Sequence, residues 1–341
     1  MLSLLPIPLL EWYSEHARTL PWRSFPTPYR VWVSEIMLQQ TRVAAVLGYF
    51  SRFMDRFPSL TELAYASEDE LMKIWQGLGY YSRARNLQKA AKQILSEFAG
   101  VFPQTYNEIR TLSGIGDYTA GAIASIAFGL PVPAVDGNVL RVVSRINGDS
   151  DDISTAAMKK KVTQELYDIM PTAYPGEFNQ ALMELGATLC IPNGTPLCEH
   201  CPAFDFCVAR CTDQTDVLPV RAPKKARRIE ERTVFFVFHE NKVALRRRPP
   251  KGLLARLWEF PSILVGESLP EILRVETMKS GGMGKHIFTH IEWHMTAQIF
   301  VLEQSDLPED WVWADRNEVN LTYPIPAAFD SFRKILDDYC A

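Results

Sequence analysis

The segment Leu112-Ser-Gly-Ile-Gly-Asp-Tyr-Thr-Ala-Gly-Ala122 places two glycines, separated by one residue, between two stretches with helical spacing of apolar residues. Glycine lets the backbone approach its surroundings closely, and the amide groups at the start of the next helix can hold a phosphate. The segment therefore predicts a helix that ends near Leu112, a short turn, and a helix that begins near Tyr118. An ordinary helix–helix turn is the alternative to a phosphate-binding turn.

Two carboxylates lie on either side of this segment in contrasting contexts. Asp136 directly precedes a run of helical periodicity over residues 139–146, which is typical of a helix cap, and a helix N-terminus favours an ionised carboxylate. Glu35 lies near a predicted helix start among apolar neighbours. It is either a solvated helical glutamate or, if it faces a pocket, a proton donor whose pKa is raised by desolvation. An acid paired with a stabilising anion is typical of glycosidic bond cleavage.

Four cysteines follow within a short stretch: Cys190, Cys198, Cys201 and Cys207, separated by seven, two and five residues. Thiolates at such density in a chain that we expect to be cytoplasmic indicate zinc or an iron–sulfur cluster, and the spacing alone does not decide between them. Cys211 and Cys340 are interpreted as ordinary free cysteines, with Cys211 a possible substitute for one of the four.

The chain changes character along its length. Residues 8–174 show helical periodicity, for example over residues 34–57, and almost no strand-like alternation. Residues 221–232 are basic and lack hydrophobic periodicity, as in an exposed linker. Beyond them, β-branched and aromatic residues predict strands at 233–239, 242–245 and 297–302, and helical signals return at 270–275 and 327–339. We therefore predict an all-α domain over residues 1–216, a linker over 217–232 and an α+β domain over 233–341.

The composition of the 341 residues fits a folded protein of two domains, with 47% hydrophobic and 22% charged residues. Its 36 basic and 40 acidic residues give a net charge of -4, so a nucleic-acid partner would have to be met by local patches. We expect such patches at Arg83, Arg85 and residues 221–232 and 246–248. The longest apolar stretches are too short for a membrane span, and the first ten residues lack the pattern of a signal peptide, so we expect a cytoplasmic protein.

The hairpin, the two carboxylates and the four cysteines belong to a series of nine segments that occur in order along the chain. These are Pro21-Trp22-Arg23, the stretch from Val33-Ser34-Glu35 to Gln39-Gln40-Thr41, the stretch from Gly77 through Tyr80 to Arg85, the hairpin with Tyr118, Val135-Asp136-Gly137-Asn138, Asn179-Gln180 with Glu184, the four cysteines, Leu257-Trp-Glu-Phe-Pro261 and Phe288-Thr289-His290. Together they resemble the adenine DNA glycosylases of the MutY type, in the helix-hairpin-helix glycosylase superfamily. The resemblance covers almost the whole chain.

The resemblance implies an all-α helix-hairpin-helix glycosylase domain with an iron–sulfur cluster loop at residues 190–207, followed by an α+β Nudix-like domain that recognises 8-oxoguanine. It also implies a [4Fe-4S] cluster held by the four cysteines. The expected activity is removal of adenine mispaired with 8-oxoguanine or guanine in double-stranded DNA, which leaves an abasic site for base excision repair. We expect a monomer, cytoplasmic and associated with the nucleoid while bound to DNA.

The resemblance further assigns roles residue by residue. Glu35 would protonate adenine N7, Asp136 would stabilise the sugar carbocation, and Tyr118 and Asn138 would orient this pair. The other implied contacts are with DNA. The adenine pocket would be lined by Trp22, Arg23 and Gln180, and the duplex gap would be filled by Gln40 and Tyr80. The lesion would be contacted by Thr41, Leu78, Phe288, Thr289 and His290, and the DNA backbone by Gly114 and Gly116.

Three features depart from the family pattern. The first cysteine gap is seven residues where six is commoner, and Thr289 stands where serine is usual. No glutamate-rich Nudix helix follows Trp258, so we expect the C-terminal domain to bind and not to hydrolyse.

Three other interpretations share some of these features. An endonuclease-III-like glycosylase and lyase for oxidised pyrimidines needs an amine, whereas this hairpin carries Tyr118 where that family has lysine. We therefore expect a monofunctional enzyme. A non-catalytic DNA-binding module would not need Glu35 and Asp136, and a zinc-binding Nudix hydrolase would need the metal helix.

Overall fold

The computed structural model describes residues 1–223, 226–267, 278–303 and 306–340. The chain forms two compact units. The first consists of Met1–Tyr65 with Asn86–Pro223, and the second of Ala66–Arg85 with Lys224–Ala341. A short segment from the first third of the sequence therefore belongs to the same unit as the C-terminal residues.

The chain up to the linker is helical, as predicted. Its helices are α1 (Pro6–His16), α2 (Pro21–Ser24), α3 (Pro28–Leu38), α4 (Val43–Arg56), α5 (Leu60–Tyr65), α6 (Glu68–Trp75), α7 (Ser82–Glu97), α8 (Tyr106–Thr111), α9 (Asp117–Phe128), α10 (Gly137–Asn147), α11 (Ala156–Ile169), α12 (Pro175–Thr188) and α13 (Val208–Cys211). All of these except α6 and the first turn of α7 lie in the first unit.

Helices α9, α10 and α12 form the centre of the first unit. The apolar face of α10, with Val139, Val142 and Val143, is buried against α12. Helix α9 approaches the segment before α10 so closely that a Cβ atom on Gly121 would lie 2.3 Å from the Pro133 carbonyl oxygen. Glycine at this position therefore sets the distance between the helix of the hairpin and the segment that carries Asp136.

The helical periodicity of residues 34–57 covers two helices. Helix α3 ends at Leu38 and α4 begins at Val43. Between them Gln40 has a φ angle of 58°, in the left-handed region that an α-helix cannot include. The buried residues of α3 and α4 keep the same helical spacing, so the apolar period of the sequence continues although the helix is interrupted.

The second unit is built on a mixed sheet, which confirms the predicted α+β class. Its strands are β1 (Arg228–His239), β2 (Lys242–Arg247), β3 (Trp258–Glu259), β4 (Ser262–Leu264), β5 (Lys279–Ile287), β6 (Ile291–Val301) and β7 (Trp311–Ala314). The order is β3-β2-β1-β6-β5, with β4 paired to β1 and β7 to β2. The central pair β1 and β6 is parallel, and the other pairs are antiparallel.

Both faces of this sheet are covered at its centre. Five consecutive residues of β1, from Val234 to Phe238, are buried, and they divide between two apolar clusters. Helices α14 (Arg316–Leu321) and α15 (Arg333–Tyr339), with the intervening 3-10 helix Ala327–Phe332, lie after the last strand. The predicted helix at 327–339 is thus present as two elements, and the predicted one at 270–275 lies outside the described residues.

Helix α6 is attached to this unit by polar contacts with the residues that follow α14. The Lys73 ammonium group donates to the Tyr323 carbonyl oxygen at 2.9 Å, and the Gln76 amide donates to the Ile325 carbonyl oxygen at 2.7 Å. Glu68 accepts from Arg85 at 2.7 Å and pairs with Arg256 at 3.1 Å.

The units differ from the division predicted from the sequence, which gave residues 66–85 to the catalytic domain. Within the predicted linker, Arg228 to Arg232 pair with β6 in the sheet. The proposed limits 1–216, 217–232 and 233–341 stay a prediction about the domains.

Within the described ranges, every helix is too short or too polar to cross a lipid bilayer.

We expect replacement of Gly121 by alanine to lower the free energy of unfolding by about 1 to 3 kcal/mol, because the added methyl group would meet the Pro133 backbone. Gly48→Ala is the matched control. Gly48 is an exposed position inside α4 whose Cβ would meet only the mobile end of Arg52, so this change should raise stability by up to about 1 kcal/mol. Denaturant unfolding measures both, and equal stability of the two variants would contradict the close packing.

Candidate active site and cysteine loop

Glu35 lies on α3 with its side chain inside the first unit. The residue is 5% exposed, and its carboxylate accepts a hydrogen bond of 2.5 Å from the Tyr118 hydroxyl group. The same hydroxyl lies 3.2 Å from the Met183 sulfur. Burial raises the pKa of Glu35 to about 7, although the Tyr118 hydrogen bond acts in the opposite direction. The solvated glutamate considered above is therefore wrong, and Glu35 can hold a proton near neutral pH.

Tyr118 is carried by the predicted hairpin. Helix α8 ends at Thr111 and α9 begins at Asp117, with Gly116 as the N-cap residue. Gly114 has a φ angle of 77°, and a Cβ atom there would lie 2.5 Å from the Asn86 side chain, so glycine is required on both grounds. The turn places Tyr118 in the first turn of α9, from which its hydroxyl reaches Glu35. The contact of Gly114 and Gly116 with DNA stays a prediction.

Asp136 caps α10, as its position in the sequence predicted. One carboxylate oxygen accepts from the backbone amides of Asn138 and Val139, both at 2.8 Å, and the other accepts from the Asn138 side-chain amide at 3.0 Å. Burial raises the pKa of Asp136, whereas these hydrogen bonds stabilise its charged form. The Asp136 charge also raises the pKa of Glu35, so the two carboxyl groups interact.

Asn138 is in turn held by Arg141, which lies on the same helix and is 2% exposed. The Arg141 guanidinium group donates to the Asn138 side-chain oxygen at 2.9 Å, to the Gly186 carbonyl oxygen at 2.7 Å and to the Cys190 carbonyl oxygen at 2.8 Å. One buried cation therefore connects the cap of α10 with the end of α12 and the first cysteine.

A buried ion-pair group lies nearby and was missed as part of the site. Glu184 is 1% exposed and accepts two hydrogen bonds from the Arg18 guanidinium group, at 2.5 and 2.9 Å, and one from Arg23 at 2.8 Å. Arg23 also lies over the Tyr13 ring, 5.5 Å from its centroid. Glu184 follows Gln180 by four residues on α12, which places both on one face of that helix. Both residues belong to the sequence motif Asn179-Gln180 with Glu184, and their spacing of four was the signal that could have placed Glu184 at the site.

Trp22 and Asn179 support the site from within the core. Trp22 is 5% exposed and packs edge-on against Phe50, with ring centroids 5.3 Å apart. Asn179 is fully buried, and its side chain accepts from the Ala134 backbone amide at 3.0 Å. It therefore fixes the segment that leads into Asp136. Gln180 is half-buried beside it on α12.

The four predicted cysteine ligands surround a single cavity. Cys190, Cys198, Cys201 and Cys207 line it together with apolar side chains and Arg145. The Arg145 guanidinium group donates to the Cys190 sulfur at 3.3 Å. Burial raises the pKa of the Cys201 thiol to about 12, and the charges of the other three cysteines raise it further.

Neither remaining cysteine belongs to this cavity lining: Cys211 is exposed and Cys340 is buried in the second unit. Over the ranges that the structure describes, no three or more His, Cys, Asp or Glu side chains converge closely enough for one metal ion. Four thiol groups that line one cavity are nevertheless the donor set of an iron–sulfur cluster, so the chemistry of these residues fits such a group.

The residues assigned to the duplex gap and to the base opposite adenine fall in both units. Gln40, exposed, and Thr41, half-buried, lie in the first unit. In the second unit, Tyr80 is 45% exposed and shares a hydrogen bond of 2.8 Å with the exposed Thr289 hydroxyl group. Leu78 is 7% exposed, so little of its side chain is accessible in the unbound protein.

Ring packing and a backbone hydrogen bond hold the loop around Thr289 in place. The Phe288 ring packs edge-on against Trp293 and His286, with centroids 4.9 and 4.5 Å apart. The Arg227 side chain donates to the Phe288 carbonyl oxygen at 3.1 Å, and His290 is exposed beside it. The structure thus brings Tyr80 and the Phe288-Thr289-His290 loop together.

Several arginines that we expected to bind phosphate are engaged inside the second unit. Arg85 pairs with Glu68, and Arg246 and Arg248 both pair with the fully buried Glu259. Arg83 is 8% exposed. Their guanidinium groups already serve packing and ion pairing, and contact of these residues with phosphate stays a prediction.

Comparison with known proteins relates both parts of the chain to described families. Residues 33–169 match the family described as HhH-GPD superfamily base excision DNA repair protein, and residues 233–337 match the NUDIX domain. The chain is 37% identical over 366 residues to the adenine DNA glycosylase of Mus musculus, which covers 88% of this chain and 70% of the mouse protein.

A second relative is the adenine DNA glycosylase of Buchnera aphidicola subsp. Baizongia pistaciae (strain Bp), 36% identical over 260 residues, or 75% of this chain and 73% of that protein. Among solved structures, a thermostable thymine-DNA glycosylase is similar with a TM-score of 0.56 and 24% identity, covering 62% of this chain and 97% of that one. This likeness shows the fold alone.

The pKa of Glu35 leads to a prediction about stability. The folded protein binds this proton more tightly than the unfolded chain, so stability is lost as pH rises from about 4.5 to about 7. Glu35→Gln removes the titrating group and keeps an acceptor for Tyr118. We expect the variant to be more stable than the wild type at pH 8, by on the order of 3 kcal/mol, and the difference to shrink at pH 5.

Thermal unfolding at the two pH values measures this difference, with the exposed Glu11→Gln as the control that should leave it unchanged. A Glu35→Gln protein that is less stable than the wild type at pH 8 would show that the buried carboxylate is a favourable anion.

Proposed function

The chain belongs to the family of adenine DNA glycosylases, and we propose that it removes adenine paired with 8-oxoguanine or guanine by proton transfer from Glu35. A protein of this family is a DNA glycosylase, which hydrolyses N-glycosyl bonds in base excision repair, and DNA is its partner. The observation that carries the proposal is the buried Glu35 carboxyl group, bonded to Tyr118 and with a pKa near 7.

The proposed reaction uses the two carboxyl groups differently. A flipped adenine presents N7 to Glu35, and protonation there makes the base a better leaving group. When the bond between N9 and C1′ breaks, its electron pair leaves with the base and positive charge develops on the sugar. Asp136, whose charged form is stabilised by Asn138 and Val139, is the anion that stabilises this charge. Water then adds to C1′, which leaves an abasic site.

Tyr118 supports a monofunctional enzyme in this scheme. A lyase reaction begins with attack of an amine on C1′, and the phenol at this hairpin position cannot form the corresponding Schiff base. Its hydroxyl instead donates to Glu35 and orients the carboxyl group. Relatives named as adenine DNA glycosylases give no support to the endonuclease-III-like alternative.

The adenine pocket in this proposal is bounded by the buried ion-pair group. Glu184 holds Arg23 in place, and Arg23 and Gln180 supply polar groups while Trp22 supplies an apolar wall. These contacts orient the base so that N7 faces Glu35. Arg18 belongs to the same set because it balances the charge of Glu184.

An iron–sulfur cluster is typical of the family, and we assign a [4Fe-4S] cluster to Cys190, Cys198, Cys201 and Cys207. The cluster would cross-link the end of α12 with the loop that follows. Arg145 would donate to a ligand sulfur, and Arg141 would tie the Cys190 backbone to Asn138. The cluster in this assignment stabilises the position of the catalytic cap.

The preference for 8-oxoguanine is assigned to the second unit. Flipped adenine is the same molecule whichever base it was paired with, so another surface must read that base. The NUDIX domain match, together with the pairing of Tyr80 and Thr289, supports the Phe288-Thr289-His290 loop as this surface.

We further propose that the protein acts as a monomer in the cytoplasm, bound to the nucleoid during repair.

The test of the chemistry is single-turnover excision on a duplex with adenine opposite 8-oxoguanine. We expect Glu35→Gln and Asp136→Asn to lower the rate constant by about 10² to 10⁴-fold while duplex binding persists, because each removes one half of the acid and anion pair. The wild-type rate constant should fall as pH rises above about 7, where Glu35 loses its proton.

Glu11→Gln is the matched control for removal of a carboxylate. The DNA product should be an intact strand that is cut only after hot alkali. Wild-type rates for Glu35→Gln, or strand cutting at the rate of excision with a product that borohydride traps covalently, would contradict the mechanism.

The cluster assignment is tested by iron and sulfide analysis with absorption spectroscopy. We expect about four irons per chain in the wild type, and Cys198→Ser to lose most of the visible absorption because one ligand is missing. Cys211→Ser should keep it, since Cys211 lies outside the cavity lining. One bound zinc, or equal loss in both variants, would refute the assignment.

A further inference from the structure

Arg83 is a buried cation that the mechanism does not use. It lies in the second unit near the start of α7, is 8% exposed, and burial lowers its pKa to about 10, so it remains charged near neutral pH. Removing a guanidinium group from water costs free energy that its contacts must offset. Those contacts show what the group does for the fold.

The guanidinium group of Arg83 is directed at the loop of residues 77–80. One of its nitrogens donates to the Leu78 carbonyl oxygen at 3.2 Å and to the Gly79 carbonyl oxygen at 3.1 Å. The Gly79 oxygen also accepts from the Trp75 indole at 3.1 Å. The same guanidinium carbon lies 5.4 Å from the ring centroids of both Trp75 and Tyr80.

This loop needs such support because its backbone is strained. Gly77 and Gly79 have φ angles of 100° and 72°, and Tyr80, which is not a glycine, has a φ angle of 49°. A bulky residue in the left-handed region is strained relative to ordinary backbone conformations. Without a partner for its carbonyl groups the loop would relax, and the Tyr80 ring would move with it.

The position of Tyr80 in turn affects Thr289. Their hydroxyl groups share a hydrogen bond of 2.8 Å, although the two residues are separated by 209 positions in the sequence. Thr289 is held on its other side by Phe288, which packs on Trp293. A displaced Tyr80 would therefore leave the Thr289 hydroxyl without its protein partner.

We propose that Arg83 is a positioning residue for recognition of the base opposite adenine, acting through the backbone of residues 78–79 and the ring of Tyr80. This inference rests on the proposed function, and in particular on the assignment of Thr289 to that base and of Tyr80 to the duplex gap beside it. Arg83 itself does not contact DNA.

The variant that tests this is Arg83→Lys. Lysine keeps the charge but lacks the planar guanidinium group, which lies over the Trp75 and Tyr80 rings while one of its nitrogens donates to both carbonyl oxygens. We expect the preference for 8-oxoguanine over guanine, measured as the ratio of dissociation constants and of single-turnover rate constants, to fall about tenfold. Excision opposite guanine at saturating enzyme should change by less than about threefold, because the site of Glu35 is untouched.

A double-mutant cycle separates positioning from general destabilisation. In the Tyr80→Ala background Arg83→Lys should cause no further loss of preference, since the residue through which it acts is gone. Arg85→Lys is the matched control, because Arg85 lies on the same helix and pairs with Glu68. An equal loss on both duplexes, or full additivity with Tyr80→Ala, would overturn the proposal.

Gly79→Ala provides a second variant if Arg83→Lys does not fold. A Cβ atom there has open space but meets a φ angle of 72°, so the change perturbs the loop backbone alone. Its preference should fall as well, and an unchanged preference would overturn the proposal. A wild-type protein that releases adenine from neither duplex would instead refute the proposed function, and the binding ratios would still test Arg83.

Discussion

The chemistry of this protein depends on keeping one carboxyl group, that of Glu35, away from water. Desolvation is the largest cause of its raised pKa; the Asp136 charge adds to it, and the Tyr118 hydrogen bond opposes it. The surrounding structure serves this condition: α3 presents the residue inward, and α9 closes over it with Tyr118. The close approach of α9 to the segment before α10, allowed by Gly121, brings Asp136 near enough to interact with Glu35.

The first unit also buries other charged groups, and each of these needs a partner of opposite charge or hydrogen-bond acceptors. Arginines take part in all of these contacts. Arg18 and Arg23 neutralise Glu184, while Arg141 directs its donors to side-chain and backbone oxygens. Arg141 and Arg145 also reach the cysteine loop. The catalytic cap and the proposed cluster are thus joined by short polar contacts, each of which would be costly to break in a buried setting.

The sequence predicted those features of the site that depend on local signals. The cap at Asp136 and the hairpin before Tyr118 follow from a few neighbouring residues, and both are present. The pairing of Glu184 with Arg18 spans 166 positions, so no local pattern reveals it. The burial of Arg83 was missed for a related reason: an arginine in a polar segment resembles a phosphate ligand until its acceptors are known. The break at Gln40 was hidden because the apolar period continues across it.

The attachment of α6 to the C-terminal unit has a consequence for the order of events during synthesis. The carbonyl acceptors of Lys73 lie 246 and 250 residues further along the chain. At about 5 to 20 residues per second, the ribosome makes them roughly 12 to 50 seconds after Lys73. During that interval the two halves of the first unit can associate, with residues 66–85 projecting as an unfinished insertion. The part of the protein proposed to read the damaged base is therefore completed only after these acceptors have been made.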